Sequence, residues 1–331
     1  MIIVHLPAQS GKSPAESLER HILQPGEELS ANVLWIDLVE PTRDEERLVE
    51  HHTGIEIPTR EEMADIEPSE ILYREENASY MTARVLCSSD TERPKLIDVS
   101  FILTPRALIT VRYGEPRSFS MFMTRAAKPG GCGHQPESVL DGLVETIIDR
   151  AAEILGFVGK RIDKLSHAVF DNDQKGNRRA AAYRAALKSI GRKGDVISNV
   201  RESMASVERM LLFLSAAMER PKQPHSFRSE WRTAIRDVQS IEEHATFLSN
   251  KLQFLLDATL GLVTMEQNDI IKLFSVMSVI FLPPTLLASV YGMNFSFMPE
   301  LQWRYGYPVA IFLMIMAAVL PYVVFRWKRW L

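Results

Sequence analysis

Hydrophobic and polar positions change rhythm along this chain. Up to about residue 125, short apolar runs rich in β-branched and aromatic residues alternate with polar stretches, the pattern of strands joined by short helices. Strand candidates are MIIVHL (1–6), NVLWIDLV (32–39), ILYREENASYMTARVLC (71–87, two strands about a Glu-Asn turn) and LIDVSFILTPRALITVRY (96–113). TRDEERLVEHHTG (42–54) opens on a Thr N-cap candidate, carries early acids and ends on Gly, and PTREEMADI (58–66) has Pro and acids near its start. Both read as short helices.

After the Pro/Gly loop AKPGGCGHQPES (127–138) the period becomes helical. Val139, Leu143, Ile147, Ile154, Val158, Ile162 and Leu165 fall on one apolar stripe. NDQKGN (172–177) reads as a hairpin tip, a second helix runs from about 178 to 219, and PKQPHS (221–226) is a break. A third helical stretch starts near 227 and meets no Pro until Pro283. That length exceeds an ordinary globular helix and predicts a stalk that enters a membrane without interruption.

The polar positions then vanish. No charge occurs from Leu273 to Pro299, and LFSVMSVIFLPPTLLASVY (273–291) is followed by the equally uncharged YPVAIFLMIMAAVLPYVVF (307–325). As a helix the first would measure about 28 Å, close to a bilayer core of about 30 Å. A buried core hairpin is the alternative, disfavoured by such length without charge. Lys272 precedes the first span, Arg326, Lys328 and Arg329 follow the second, and Glu300 and Arg304 cancel between them. The positive-inside rule then places both chain ends in the cytoplasm and the connection outside, with Trp327 and Trp330 at the interface. MIIVHLPAQSGKSP has no basic region followed by an apolar stretch, so no cleavable signal is expected. The expected fold class is an α+β cytosolic domain, an α/β sandwich followed by long helices, joined to a two-helix transmembrane hairpin. The expected segments are an α/β domain (1–130), a helical hairpin (131–225), a stalk (226–272), a first span (273–294), a periplasmic loop (295–306), a second span (307–325) and a basic tail (326–331).

Composition narrows the function. A net charge of −4 lacks the basic footprint of a nucleic-acid binder. Cys87 and Cys132 offer no C-x-x-C pair, His51-His52 lacks metal-ligand spacing, and no P-loop is present. No catalytic constellation emerges, so no enzyme is expected.

The first span carries its small hydroxyls in a pattern. Ser275, Ser278, Thr285 and Ser289 are linked through Leu282 by alternating steps of three and four, and the same steps run back through Ile271, Asn268, Thr264 and Gly261 to Asp257. That is the period of a helix packed about a supercoil axis. Two readings fit. Small and hydroxyl residues line close helix contacts in membranes; alternatively, polar groups in a bilayer face a water-filled cavity. The second span is nearly devoid of polar groups and suits a shielding role. Two spans cannot enclose a pore, so the pore reading requires a homo-oligomer. Pro283 and Pro284 free backbone carbonyls that hydroxyls or water could satisfy. Gly292 would let the helix end in a left-handed turn. Asn294 beyond it is either a simple cap or, in a symmetric assembly, part of a ring of neutral amide oxygens suited to hydrated Mg²⁺.

YGMNF (291–295) followed by MPEL (298–301) resembles the signature of the CorA magnesium transporter family. EQNDIIKLFSVMSVIFLPPTLLASVYGMNF (266–295) is similar to that family's pore helix, GYP (306–308) opens the second span as in the family, and WIDLVEPTRDEE (35–46) resembles the N-terminal domain of proteobacterial members. The resemblance implies a funnel-shaped homopentamer in the bacterial inner membrane that mediates electrically driven Mg²⁺ uptake and also passes Co²⁺ and Ni²⁺. It implies that Gly292, Met293 and Asn294 form the selectivity motif and that Asn294 holds hydrated Mg²⁺. Ile271, Phe274, Ser278 and Leu282 would form the narrow apolar pore, Asn268 a polar ring and Asp257 an acidic, metal-binding ring. Arg326, Lys328 and Arg329 would form an inner basic collar. Ser296 stands where many relatives carry an acid, while Glu300 remains in the outer loop. An inter-subunit regulatory Mg²⁺ site is implied as well. Glu61, Glu62, Asp65, Glu67 and Glu70 lie in a plausible region for it, or form a solvated face. The alternatives are a Zn²⁺ transporter of the ZntB type, which departs from the MPEL loop, and a membrane-anchored cytosolic sensor.

Overall fold

In a computed structural model of the chain, the described residues are 1–7, 18–24, 26–30, 32–65, 67–75, 77–88, 94–128, 130–171, 177–217, 225–293, 298 and 303–328. They divide into two compact units, Met1–Leu256 and Asp257–Leu331.

The first unit is built on a seven-stranded sheet. β1 (Ile2–Pro7) lies between β2 (Leu18–Ile22) and β3 (Trp35–Val39), antiparallel to both. β3 then pairs in parallel with β7 (Leu108–Arg112), and β7 continues antiparallel through β6 (Lys95–Leu103) and β5 (Ala78–Cys87) to β4 (Leu72–Glu75). Every residue of β3 and β7 is buried, as expected of central strands covered on both faces.

The stretch 96–113, read as one strand candidate, is two strands. Pro105 has no N–H for a ladder, and Thr104 closes a turn. Its hydroxyl accepts from the N–H of Arg106 and Ala107 and donates to the Ala107 carbonyl. β2 was not anticipated: only Leu18 is buried in it, so LERHI has no periodic signal.

One face of the sheet carries α1 (Arg43–Thr53), α2 (Arg60–Met63) and α3 (Pro68–Ile71). Thr42 and Glu45 form a capping box, repeated by Thr59 and Glu62, and Gly54 ends α1 at φ 71°. Val49, Ile57 and Met63 pack there against Ile36, Leu38, Ile109 and Val111. The other face carries α4 (Arg117–Ala126), α5 (Pro136–Phe170) and α6 (Asn177–Ala217). α4, also unforeseen, buries Phe119, Phe122 and Ala126. Residue alternation sends Trp35, Phe101 and Leu108 to this side, against Leu140, Leu143 and Ile147 of α5. Ser203 and Ser206 of α6 dock on β5: the Ser203 hydroxyl donates to the Arg84 carbonyl, and the Arg84 N–H donates to Ser206 Oγ.

α7 (His225–Tyr291) is 67 residues long. Within the first unit it adds Trp231, Val238, Ala245, Leu248, Leu252 and Leu255 to the same core, at coiled-coil spacing. The second unit holds the rest of α7 and the 22-residue α8 (Gly306–Trp327). Both are long and apolar enough to cross a membrane, and their apolar windows are unburied within the chain. The hairpin tip expected at 172–177, apart from Asn177, and most of the break at 221–226 lie outside the described residues.

Candidate functional site

The residues singled out as pore-lining all lie on α7: Asp257, Asn268, Ile271, Phe274, Ser275, Ser278, Leu282, Thr285 and Ser289. All are exposed, Ile271, Phe274 and Leu282 by 61%, 65% and 64%. The partly covered positions of the same segment are Val276, Ile280, Pro283, Pro284, Leu287 and Tyr291. At about 100° per residue the two sets are centred roughly 180° apart. On α8 the partly covered positions Ala310, Met314, Ala317, Ala318, Pro321 and Phe325 also form one stripe. The α7 stripe covered within this unit is therefore the apolar one, and the hydroxyl seam points the opposite way.

The seam's hydroxyls are oriented by the helix itself. Ser275 Oγ donates to the Ile271 carbonyl at 2.8 Å, Ser278 Oγ to Phe274 at 2.9 Å and Thr285 Oγ1 to Phe281 at 2.7 Å. These are back-bonds one turn upstream. They do not reach the carbonyls of Val279 and Ile280, whose usual partners Pro283 and Pro284 replace, so the expected hydroxyl rescue is not what these three provide. Each back-bonded oxygen keeps its lone pairs for an outside donor.

Gly292 departs from expectation. Its N–H donates to the Ala288 carbonyl at 2.9 Å, and it is not among the left-handed glycines. An added Cβ would lie 3.1 Å from that carbonyl oxygen, so the close turn, not a positive φ, favours glycine here. Met293 closes the turn onto Val290. Asn294, Glu300 and Arg329 lie outside the described residues. Arg326 and Lys328 are exposed at the C-terminal end of α8, where cations complement the helix dipole. Among the described residues no group of three or more His, Cys, Asp or Glu is placed to hold a metal ion. In the acid-rich run, Glu62 is occupied in capping Thr59 and Asp65 accepts from the Glu67 N–H.

The WID sequence has a physical role that sequence reading did not supply. Arg112 grips both oxygens of Asp37 at 2.8–3.2 Å, Thr110 donates to Asp37, and the Trp35 indole donates to Thr110. The parallel register of β3 and β7 aligns these partners. His5 stacks on Trp35 at 4.2 Å, and burial, with Arg20 and Arg112 nearby, lowers its pKa to about 3.

The model of the CorA-like Mg²⁺ transporter protein family matches residues 30–329. The chain belongs to this family. It is 33% identical over 300 residues to the magnesium transport protein CorA of Haemophilus ducreyi, covering 91% of this chain and 92% of that protein. With the CorA of Yersinia pestis it shares 35% over 301 residues, covering 91% and 93%. The complete structure of the CorA magnesium transporter from Methanocaldococcus jannaschii superposes at TM-score 0.75 and 16% identity, over 100% of this chain and 99% of that one. The cytoplasmic domain of ZntB from Vibrio parahaemolyticus shares the fold at TM-score 0.52 and 11% identity, over 80% of this chain and 98% of that one. Members of the CorA family are transporters and not enzymes, and the fold is the expected one: an α/β sandwich, long helices and an apolar helix pair.

Proposed function

We propose that this CorA-family chain is the subunit of a homopentamer of the bacterial inner membrane that conducts Mg²⁺ into the cytoplasm and also passes Co²⁺ and Ni²⁺. The observation that carries this reading is the hydroxyl seam of α7 turned away from the helix's covered stripe. A seam used for packing within the hairpin would lie on the covered side. Five copies meeting on the seam would line an axis with Ser275, Ser278, Thr285 and Ser289, and the apolar α8 would shield it.

Mg²⁺ gives up its water reluctantly, so it would travel largely hydrated. A hydrated cation presents water protons outward. Back-bonded hydroxyls and the Asn294 amide offer oxygen acceptors to those protons without adding charge. Binding is then weak and repeated, as conduction requires. Ile271, Phe274 and Leu282 would form an apolar constriction that closes by dewetting, with Asn268 and Asp257 as oxygen-bearing rings on the cytoplasmic side. Arg326, Lys328 and Arg329 would form a collar at the inner mouth. The driving force is the membrane potential, about 4.6 kcal/mol for a divalent ion per 100 mV.

Flux into proteoliposomes at matched protein content tests this. Asn294→Ala is expected to assemble normally and to lose at least tenfold in Mg²⁺ flux; flux equal to the parent's would remove the selectivity-ring role. Asn294→Asp is expected to bind divalent ions more tightly and release them more slowly. Zn²⁺ conducted in preference to Mg²⁺ would favour the ZntB-type alternative. In this reading both termini are cytoplasmic and 295–306 is outside, as the Lys/Arg asymmetry suggests. A cysteine at position 296 should therefore react with an impermeant reagent on intact cells, and one at 331 should not.

A further inference from the structure

The three-and-four rhythm of α7 does not stop at Asp257. Carried back towards the start of the helix, the same steps reach Phe254, Asn250 and Phe247. All three are exposed within the first unit, Phe254 by 62% and Phe247 by 58%. The stripe that α7 buries there runs through Val238, Ala245, Leu248, Leu252 and Leu255. At about 100° per residue, Phe247, Asn250 and Phe254 are centred roughly opposite that stripe. In the first unit as in the second, α7 turns one and the same seam away from its own chain.

These seam positions are uncharged and mostly aromatic. A large ring left in water forgoes the burial that an apolar neighbour would supply. From its own chain Phe254 has Phe170 of α5 beside it at 6.2 Å, and Phe247 has the His244 ring at 6.2 Å, yet both phenylalanines stay more than half exposed. Exposure alone does not select a partner, since Phe157 and Phe170 of α5 are exposed as well. Position does. Phe247 and Phe254 lie on the line along which copies meet further along the same helix, and a residue on an axis-facing seam meets its own counterparts. Asn250 between two aromatic positions is also the arrangement that fixes register in a supercoil, one polar residue among apolar ones.

We propose that copies of this chain bring Phe254 and Phe247 together about the pore axis as two aromatic layers, an apolar collar on the cytoplasmic side of Asp257 and a second constriction in the ion path. Its placement rests on the pore reading of the seam. A narrow apolar passage expels water, and hydrated Mg²⁺ crosses it only while it is wet. Size and polarity at these two positions then set how fast ions leave the pore, although neither ring ligates the ion.

Two measurements on the full chain test this. First, Phe254→Cys, Ser278→Cys and Phe157→Cys are treated in membranes with a short bifunctional thiol reagent, the parent's Cys87 and Cys132 giving the background. Linked copies are expected for Phe254→Cys and Ser278→Cys and not for Phe157→Cys. Linkage at 278 without linkage at 254 would overturn the collar and leave the pore seam intact, whereas linkage at neither would remove the seam reading itself. Linkage at 157 as strong as at 254 would show that exposure, not the seam, explains it, and would overturn the collar too. Second, Mg²⁺ flux is read in proteoliposomes holding equal amounts of assembled protein. Phe254→Ser, alone and with Phe247→Ser, is expected to raise flux about threefold or more by wetting the passage. Phe247→Leu/Phe254→Leu keeps the collar apolar and is expected to stay within about twofold of the parent. A residue that only holds the stalks together would lose assembly and flux on substitution and never gain flux. Serine variants that assemble and conduct no faster than the parent would overturn the constriction.

Discussion

Asp37 and Arg112 show what a single residue contributes here. They are 75 positions apart, both nearly fully buried, and the carboxylate accepts from Arg112 and from Thr110. Removing one partner strands the other charge in the core. Asp37→Ala is expected to destabilise the first unit by about 3–5 kcal/mol, read from denaturant melts of the solubilised chain. Asp37→Leu with Arg112→Met should recover most of that loss, because burying no charge costs less than burying one. Unchanged stability in Asp37→Ala would mean that the pair contributes nothing. The sequence WIDLVEPTRDEE carried a resemblance but not this reason, since the partner is supplied by a distant strand. The Thr42 and Thr59 caps were different. Their Glu partners stand three residues on, so local spacing made the helix starts readable.

At the scale of elements, α7 does two jobs with one continuous helix. Its first part buries a heptad stripe from Trp231 to Leu255, and its last part presents the hydroxyl seam. A bulky residue on the seam should obstruct an axis, whereas one on the covered stripe of α8 should only disturb packing. Ser278→Trp is therefore expected to reduce Mg²⁺ flux at least tenfold more than Met314→Trp, in proteoliposomes holding equal amounts of assembled protein. Equal effects would return the seam to a packing role. The seam was legible from residue spacing, because helical period is a local property. Its direction was not, because spacing says which residues share a face and not which face a neighbour covers. The strand run 96–113 failed for another reason: Thr104-Pro105-Arg106-Ala107 interrupts the apolar run with a residue that cannot join a ladder, a local break signal that reading the run as one strand passes over, and the hydrogen bonds of Thr104 close the turn there.

For the molecule as a whole, α5 and α7 bring acids together. Burial, then Glu230 and Glu145, raise the pKa of Asp141 to about 6, with Arg125 opposing. A carboxyl with a raised folded pKa holds its proton longer in the fold than in the unfolded chain. Stability therefore falls as pH rises from about 4 to 6, and the whole penalty is in force above that. Asp141→Asn is expected to raise the melting temperature of the solubilised chain at pH 8 and to give no gain at pH 4. A gain that is the same at both pH values would exclude this linkage.

Sequence by itself determined what depends on neighbours along the chain. Two uncharged stretches of bilayer length, capped short helices, the β-branched and aromatic runs of the strands and the three-and-four rhythm of the seam are all local patterns, and each is readable without a fold. Only the tertiary structure decided which distant groups meet. It joined Asp37 to Arg112 through the parallel register of β3 and β7, turned the seam of α7 opposite its covered stripe, and closed Gly292 without a left-handed turn. It also left Phe247 and Phe254 exposed on the upstream part of that seam, although in sequence they resemble core residues. The physical reason is the same in each case: periodicity fixes the direction of a side chain relative to its own helix or strand, whereas charge pairing and burial depend on what the rest of the chain places opposite it.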